Sequence, residues 1–344
     1  MPHIPHLFQR LRETIRTSDR VLLISHQKPD GDTLGAATAL ITWMDQEGKQ
    51  ITPFCADPMP EMYRFLDHLH RFTTDITVFD RAYDLVLVLD SGKLDYAGVE
   101  QHIPRIPQGY ILANVDHHPT NSRYGDLVIV DPTSSSTSEL IHRFFKEVHV
   151  PIDDKISTSL LTGISYDTSN FTNGATSVAS MHIASDLVAH GARIHDVMRN
   201  MWYAHTPETL KLWGRILSRL KRYDAWDLAV THVTLQDLEA FGADIPSGFI
   251  NFLSATISDA DSVLVLRERP NNRIRGSMRS MVRSVVDIAT TFGGGGHAKA
   301  PGFEIDGVMT YREDGSVIIP EPLAEAIERV LGKKPEAAVV APVS

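Results

Sequence analysis

Residues 21–44 read VLLISHQKPDGDTLGAATALITWM and combine a short apolar run, a polar loop and a run of small and apolar residues. Residues 21–25 have the aliphatic, β-branched composition of a buried strand, and residues 34–44 have the composition of a packed helix. The loop between them contains His26, Asp30 and Asp32. The stretch therefore predicts a strand–loop–helix unit with three polar side chains at the carboxyl end of the strand.

Three more apolar runs of strand length follow this unit, at residues 84–90, 109–116 and 127–131. Helical patterns follow them at residues 137–149, 153–166 and 176–190. Strands separated by helices predict an α/β fold with a doubly wound, mainly parallel sheet. Ligands of such sheets gather at the carboxyl ends of the strands, where His26, Asp90 and residues 116–118 fall.

The second part of the chain predicts a smaller α/β domain. Its elements are a strand (227–235), a helix (246–257), a hairpin (262–280), a helix (284–292), a GGGGH loop (293–297) and a strand (301–305). We expect a first domain over residues 1–192, a basic helical linker over 193–226 and a second domain over 227–332. Residues 333–344 are predicted to be a disordered tail.

The composition excludes several classes of protein. The chain has 344 residues, a single cysteine (Cys55) and no run of apolar residues long enough to span a bilayer, so we expect a cytoplasmic enzyme without disulfides. Its net charge of −10 argues against non-specific binding of long duplex nucleic acid. Six arginines against one acid between residues 263 and 283 still allow a local anion site.

Six residues have the chemistry of metal ligands: His26, Asp30, Asp32, Asp90, His117 and Asp167. Each aspartate on its own also fits a helix cap, a turn or a local hydrogen bond. Together, the six fit two divalent cations that share one carboxylate, the arrangement that polarises a phosphoryl group. Carboxylates and imidazoles suit Mn²⁺, Mg²⁺, Co²⁺ or Zn²⁺, and the lack of thiolates argues against a structural zinc site.

These motifs resemble those of the DHH phosphoesterase superfamily. The HxxxDxD motif (His26, Asp30, Asp32), the strand-end Asp90, the Asp116-His117-His118 sequence and the later Asp167 occur in the order of that superfamily. SMRS (277–280) and GGGGHAKAPGF (293–303) are similar to its associated substrate domain. The resemblance covers roughly residues 15 to 331.

The resemblance implies roles for the residues of the first domain. His26 and Asp30 would hold one cation, with Asp90 bridging, and Asp32, His117 and Asp167 would hold the other. Mn²⁺ is the implied metal, with Mg²⁺ or Co²⁺ as alternatives. His118 would face the phosphate, and Asp116 would act as a supporting carboxylate that orients the other groups.

In the second domain, the resemblance implies that Arg279 clamps a phosphate and that Gly294, Gly295, Gly296 and His297 bind the nucleotide. Backbone amides of glycines approach anions closely, and arginine suits phosphate. A flexible turn and a solvated hairpin face are the alternatives. The family usually has Ala-Ala-Gly where this chain has Ala300-Pro301-Gly302, and Pro301 lacks an amide donor.

The segment TSSSTSE (133–139) predicts a helix start, because Ser136 and Glu139 match a capping box. The amides of such a helix start can hold an anion. Capping is the first interpretation of this segment. A substrate contact from Ser135 or Ser136 is the second.

The domain combination narrows the function that the resemblance implies. Family II pyrophosphatases have a different second domain, RecJ-type exonucleases are longer, and membrane-tethered cyclic-dinucleotide phosphodiesterases carry additional segments. We therefore expect hydrolysis of short oligoribonucleotides to mononucleotides and of 3′-phosphoadenosine-5′-phosphate (pAp) to AMP. The alternatives are a cyclic di-AMP or pApA phosphodiesterase, a RecJ-like single-strand exonuclease and a non-catalytic nucleotide-binding protein. The expected partners are short single-stranded RNA or small nucleotides and no membrane, and a homodimer is compatible with the sequence.

Overall fold

The computed structural model describes residues 4–203, 206–241 and 248–332. The chain divides into two compact units, Met1–Ala204 and His205–Ser344. The predicted linker over residues 193–226 is divided between these units. Its first part is helical in the first unit, and its last part contributes a helix and a strand to the second unit. The predicted tail, 333–344, lies outside the described residues.

The first unit contains a five-stranded parallel sheet in the order β2-β1-β3-β4-β5. Its strands are β1 (Arg20–Ser25), β2 (Gln50–Phe54), β3 (Leu85–Leu89), β4 (Ile111–Asp116) and β5 (Leu127–Val130). This confirms the predicted α/β fold with a parallel sheet. The sequence did not reveal β2, which contains Pro53 and lies at the edge of the sheet, where a proline is tolerated.

Helices surround this sheet: α1 (Ile4–Thr17), α2 (Gly31–Gln46), α3 (Thr137–Glu147), α4 (Asp154–Asp167), α5 (Val178–Ala189) and α6 (Ile194–Met198), which continues as a π-helical segment, Arg199–Tyr203. Short 3₁₀ segments lie at Glu61–Tyr63, Leu69–Arg71, Ile76–Asp80 and Ile103–Arg105. Both faces of β1 are buried, Leu23 in one hydrophobic cluster and Leu22 in another. Small residues let α2 and α4 approach closely, since a β-carbon at Gly35 would be 2.4 Å from the Ser159 carbonyl oxygen.

The second unit contains a six-stranded, mostly antiparallel sheet in the order β10-β11-β9-β8-β7-β6. Its strands are β6 (Lys221–Tyr223), β7 (Leu228–Val233), β8 (Ser262–Arg269), β9 (Arg273–Ser280), β10 (Gly295–His297) and β11 (Ala300–Asp306). A separate ribbon pairs β12 (Thr310–Tyr311) with β13 (Val317–Ile318). The helices are α7 (Pro207–Leu217), α8 (Leu235–Phe241), α9 (Gly248–Thr256), α10 (Val286–Thr290) and α11 (Glu321–Leu331). The hairpin that was predicted around residues 270–272 is the β8–β9 pair.

The GGGGH segment differs from its prediction as a loop. Residues 295–297 form β10 and pair with β11, and a two-residue turn at 298–299 joins the two strands. A β-carbon at Gly294 would be 2.3 Å from the Gly302 carbonyl oxygen, so the glycine allows the two strands to pack this closely. Among the described residues, no helix has the length and apolar character needed to cross a membrane.

Candidate active site

Three adjacent strands of the first sheet deliver polar side chains to the same edge. His26 follows β1, Asp90 follows β3, and Asp116 is the last residue of β4. The strands are parallel, so their carboxyl ends lie together, as the sequence pattern predicted.

Asp90 lies at the centre of this group. It leaves β3 with φ 54°, a left-handed conformation that aspartate adopts more readily than most residues. Its Oδ2 is 3.4 Å from Nε2 of His26, and its Oδ1 is 3.6 Å from Nε2 of His117. Each oxygen of this buried carboxylate therefore faces a different histidine.

The six predicted ligands come together as two groups with ligand atoms within 4.8 Å of one another: His26, Asp30 and Asp90 in one, and Asp32, His117 and Asp167 in the other. A third set consists of Asp90, His117 and His118, and it shares Asp90 with the first group and His117 with the second. Asp167 is the last residue of α4, and its Oδ2 is 3.1 Å from Nε2 of His117. The oxygens of Asp90 face one histidine of each group, and each group offers three ligand atoms that could hold a cation.

Asp30 serves two purposes with its two oxygens. Oδ1 caps α2 by accepting the amides of Asp32 and Thr33 at 3.0 and 3.2 Å. Oδ2 is 3.6 Å from Nε2 of His26. The capping and the ligand interpretations of this residue are therefore compatible.

Asp32, the second residue of α2, is completely buried and lies next to the start of α3. Its Oδ2 accepts the amide of Thr137 at 2.6 Å, and its Oδ1 accepts the amide of Ser138 at 2.8 Å. The anion at this helix N-terminus is thus a side chain of the protein itself. The helix dipole and the two amides stabilise its negative charge.

Backbone carbonyls orient two of the histidines. Nδ1 of His26 lies 2.7 Å from the carbonyl oxygen of Gln27, and Nδ1 of His117 lies 3.3 Å from that of Ser134. When Nδ1 donates to a carbonyl, Nε2 is the nitrogen that can bind a cation. Both Nε2 atoms are turned toward the carboxylates described above.

Asp116 holds the two histidines that follow it through hydrogen bonds. Its buried Oδ1 accepts the amides of His117 and His118 at 2.8 and 3.2 Å and lies 2.7 Å from Nδ1 of His118. Its Oδ2 accepts Nδ2 of Asn121 at 2.6 Å. Burial by itself lowers the pKa of His118, but the bond to Asp116 and the charge of Asp90 outweigh it and raise that pKa.

The carboxylates of this group repel one another, and His117 lies close to three of them. Burial, followed by the carboxylates of Asp90 and Asp167, raises the pKa of Asp32 well above its usual value. Burial also raises the pKa of Asp167 to about 6, against the opposing bond from His117. The buried carboxylates of Asp32 and Asp90 and the partly exposed one of Asp167, with imidazole nitrogens between them, form a donor set that fits divalent cations.

Ser135 and Ser136 are both buried, and both form hydrogen bonds within the first unit. The hydroxyl of Ser136 accepts the amide of Glu139 and caps α3. The hydroxyl and the amide of Ser135 both donate to Oε2 of Glu139, at 2.7 and 3.1 Å. Glu139 thus bonds Ser135 rather than completing the capping box with Ser136, and both hydroxyls have internal partners instead of facing a substrate.

The predicted substrate residues of the second unit lie on the sheet around β9, β10 and β11. Nε of Arg279 donates to Oδ1 of Asn251 at 2.9 Å, and Nη1 donates to the carbonyl oxygen of Met278 at 2.8 Å. Gly295 and Gly296 lie in β10, and His297, its last residue, is exposed. The amide of Gly294 donates to the carbonyl of Ala289 at 2.9 Å, so this amide already has a partner within the protein.

The sequence did not identify Thr137 or Tyr96 as parts of this region. The hydroxyl of Thr137 donates to Oδ1 of Asp90 at 3.0 Å. The ring of Tyr96, which is half exposed, lies 5.2 Å from the ring of His26. The capping-box signal located the start of α3, but it carried no information on the carboxylates that the helix start would contact.

Comparisons with known proteins show what the chain is similar to. Residues 20–164 match the model of the DHH family, N-terminal domain. The bifunctional oligoribonuclease and PAP phosphatase NrnA of Thermus thermophilus is 27% identical over 293 residues, which are 84% of this chain and 85% of that protein. The Bacillus subtilis protein of the same name is 26% identical, over 86% of this chain and 92% of that one.

The fold has a counterpart among solved structures. The crystal structure of an exopolyphosphatase-related protein from Bacteroides fragilis matches with a TM-score of 0.83 at 23% identity, over 94% of this chain and 96% of that one. At this identity the match supports the fold alone. Residues 20–164 therefore match the DHH family, N-terminal domain, and most of the chain is similar to relatives named as bifunctional oligoribonuclease and PAP phosphatase.

Proposed function

We propose that the chain hydrolyses short oligoribonucleotides to mononucleotides and pAp to AMP, with two divalent cations as cofactors. The observation that carries this proposal is the position of Asp90, whose two oxygens face His26 and His117 separately. One carboxylate can thus serve two adjacent cations, the arrangement used for hydrolysis of phosphoesters. The names of both curated relatives support the substrate classes.

The residues of each cation follow from the two groups of ligand atoms. His26 and Asp30 would hold one cation, and Asp32, His117 and Asp167 would hold the other, with Asp90 between them. Mn²⁺ is the proposed metal, with Mg²⁺ or Co²⁺ as alternatives. When bound, such cations supply Lewis-acid polarisation of a phosphoryl group and make a nearby water more acidic.

His118 is the proposed phosphate-facing residue of the first unit. Asp116 accepts from its Nδ1, which fixes the ring and keeps a proton on that nitrogen. Its Nε2 then holds or donates a proton at the phosphoryl oxygens, where negative charge develops during the reaction. Asp116 acts on the substrate only through His118.

Arg279 is the proposed phosphate clamp of the second unit, with His297 and the glycines of residues 294–296 beside it in the nucleotide site. Its Nε donates to Oδ1 of Asn251 at 2.9 Å and its Nη1 donates to the carbonyl oxygen of Met278 at 2.8 Å, which hold the guanidinium in one orientation. A planar guanidinium suits bidentate contacts with phosphate oxygens. Ser135 and Ser136 are not among the proposed substrate contacts, because both hydroxyls are buried and bonded within the first unit.

A side-by-side turnover assay tests the proposal. Purified protein with Mn²⁺ is given short RNA oligomers, pAp, pApA, cyclic di-AMP, single-stranded DNA and long duplex RNA, and the products are separated by chromatography. We expect mononucleotides from the short RNA and AMP from pAp, with no cleavage of the duplex. Faster turnover of cyclic di-AMP or pApA would instead establish the phosphodiesterase alternative, and preferred degradation of single-stranded DNA would establish the RecJ-like one.

Two matched variants test the assignment of Asp90. Asp90→Asn keeps the shape of the side chain and removes the shared charge, so we expect activity on every substrate to be lost. Asp95→Asn changes an exposed carboxylate on the following loop and should leave activity unchanged. Full activity of the Asp90→Asn variant would show that the proposed centre is wrong, and lack of metal in an active wild-type protein would do the same.

A further inference from the structure

The first turn of α3 contacts the candidate metal centre without contributing one of its six ligands. Thr137, its first residue, is completely buried. Its amide donates to Oδ2 of Asp32 at 2.6 Å, and its hydroxyl donates to Oδ1 of Asp90 at 3.0 Å. A single residue therefore fixes two carboxylates that come from different parts of the chain.

Both contacts of Thr137 go to oxygens on the same side of the centre. Oδ1 of Asp90 is the oxygen that lies 3.6 Å from Nε2 of His117, and Oδ2 of Asp32 lies 4.0 Å from the same nitrogen. The other oxygen of Asp90, Oδ2, faces His26 instead. The contacts of Thr137 are thus directed to the group that contains His117.

The loop before α3 also contacts His117, another residue of that group. The carbonyl oxygen of Ser134 lies 3.3 Å from Nδ1 of His117. Arg143 in turn fixes Ser134, since its Nη1 donates to the Ser134 hydroxyl at 2.9 Å and to Oδ2 of Asp131 at 2.7 Å. Residues 131–138 consequently support Asp32, Asp90 and His117 from one continuous segment.

We propose that Thr137 is a positioning residue for the cation held by Asp32, His117 and Asp167, and that the cation held by His26 and Asp30 is independent of it. This proposal rests on the two-cation centre proposed above. The hydroxyl of Thr137 bonds Oδ1 of Asp90, whereas Oδ2 of Asp90 faces His26. The Thr137 hydroxyl occupies one lone pair of Asp90 Oδ1 and so sets the direction of the other.

Two substitutions at Thr137 separate its hydroxyl from its bulk. Thr137→Ser and Thr137→Ala both lack the γ-methyl group, and only the serine keeps the hydroxyl. The backbone amide that holds Asp32 is present in both. Mn²⁺ is titrated into the metal-stripped full chain and followed by calorimetry and by the electron paramagnetic resonance signal of free Mn²⁺. We expect Thr137→Ser to bind like the wild type and Thr137→Ala to bind one of its two ions about 10-fold or more weakly.

Two further variants, each lacking one histidine of the proposed centre, identify the ion that Thr137→Ala affects. In a His26→Gln background the remaining ion is the one on the His117 side, and adding Thr137→Ala should weaken it further by about 10-fold. In a His117→Gln background the remaining ion lies on the His26 side, and adding Thr137→Ala should leave its affinity unchanged. This selectivity would not result from a general loss of stability.

Equal Mn²⁺ affinities of the serine and alanine variants would overturn the proposal, and so would equal weakening of both ions. Should the alanine variant fail to fold in metal-free buffer, Thr137→Val, which keeps the bulk and lacks the hydroxyl, replaces it in the comparison with Thr137→Ser. A wild-type chain that binds no Mn²⁺ would overturn the two-cation centre itself, a result that differs from selective failure of the Thr137 variants.

Discussion

Gly163 lies directly beside the carboxylate of Asp32: a β-carbon at Gly163 would be 2.6 Å from Oδ1 of Asp32 and 2.0 Å from Oγ of Ser138. Neither atom is free to move away. Oδ1 of Asp32 accepts the amide of Ser138 at 2.8 Å, and Oγ of Ser138 donates to the carbonyl oxygen of Asp32 at 3.3 Å. The missing side chain in α4 therefore leaves the space in which α2 and α3 hold this carboxylate.

Gly163→Ala is expected to disturb the candidate metal centre. The added methyl group must displace Asp32 or Ser138, which costs about 1–3 kcal/mol of stability as overpacking. A shifted Asp32 should also weaken Mn²⁺ binding and lower kcat by about 10-fold or more. Thermal unfolding, Mn²⁺ titration and turnover of pAp measure the three effects.

Gly214→Ala is the matched control, because Gly214 also lies within a helix, but a β-carbon added there would meet no atom of a neighbouring element within 4 Å. Alanine is the better helix former by about 0.5–1 kcal/mol, so this variant should be more stable than the wild type. If Gly163→Ala were equally stabilised and fully active, the close approach of Gly163 to Asp32 would have no functional consequence.

The metal-free protein should become less stable relative to an Asp167→Asn variant as the pH rises from about 4 to 6. Burial raises the pKa of Asp167 to about 6, against the bond from His117. The folded state thus keeps a proton that the unfolded chain, with its pKa near 3.8, has released. Stability falls with rising pH wherever the folded state binds more protons. Urea unfolding in chelator at several pH values measures the difference.

Bound Mn²⁺ should reverse this trend. The cation binds the deprotonated carboxylate, so the stabilisation that it gives the wild type should grow over the same pH range. The Asp167→Asn variant should show a smaller gain from Mn²⁺ at every pH. A constant stability difference between the two proteins across pH 4 to 6, with and without Mn²⁺, would contradict a raised pKa of Asp167.

Strand ends were the part of the first unit that the sequence could predict. Apolar runs of strand length identified β1, β3, β4 and β5, and a parallel sheet requires their carboxyl ends to share an edge. His26, Asp90 and Asp116 had to lie at this edge once the runs were assigned. The structure adds that Asp90 leaves its strand in a left-handed conformation, a local choice that no periodicity reports.

Contacts between distant segments could not be read from the sequence. Asp32 and Ser138 are 106 residues apart, and local pattern identified each only as part of a helix start. The GGGGH segment likewise has the composition of a loop, but pairing with residues 300–302 makes part of it a strand. In both cases contacts with distant residues determine the local structure, and intrinsic propensity does not encode these contacts.

Arg279→Lys is expected to raise KM for pAp by about 10-fold and to leave Mn²⁺ affinity unchanged. A lysine cannot reproduce the planar fork that arginine offers to a phosphate, nor the bond from Nε to Asn251. Steady-state kinetics and a Mn²⁺ titration separate the two effects.

Arg273→Lys is the control for Arg279→Lys, since it lies on the same strand and pairs with Glu304 at 3.2 Å and Asp306 at 3.3 Å. Its partners already neutralise it, so KM for pAp should not change. Equal effects of the two substitutions would indicate a general role of positive charge on this sheet rather than a specific clamp at Arg279.

Asp116→Asn should lower kcat while affecting Mn²⁺ affinity less. All four donors to Asp116, from His117, His118 and Asn121, require an acceptor, and an amide group in place of either oxygen would face one of them with its own N–H. The resulting conflict in a buried position costs about 1–3 kcal/mol of stability. It should also release His118 and reduce kcat by about 10–100-fold, the range found when a supporting partner is removed.

The control for Asp116→Asn is Asp126→Asn, a more exposed carboxylate that accepts the amide of Leu112 near the start of the same strand. It should lose some stability and keep its kcat, because Leu112 lies near the start of β4, whereas His117 and His118 follow its end. Kinetics on pAp with saturating Mn²⁺ compare the two variants. A kcat of the Asp116→Asn protein equal to that of the wild type would mean that His118 is oriented by something other than Asp116, and its proposed proton-holding role would then lack its structural basis.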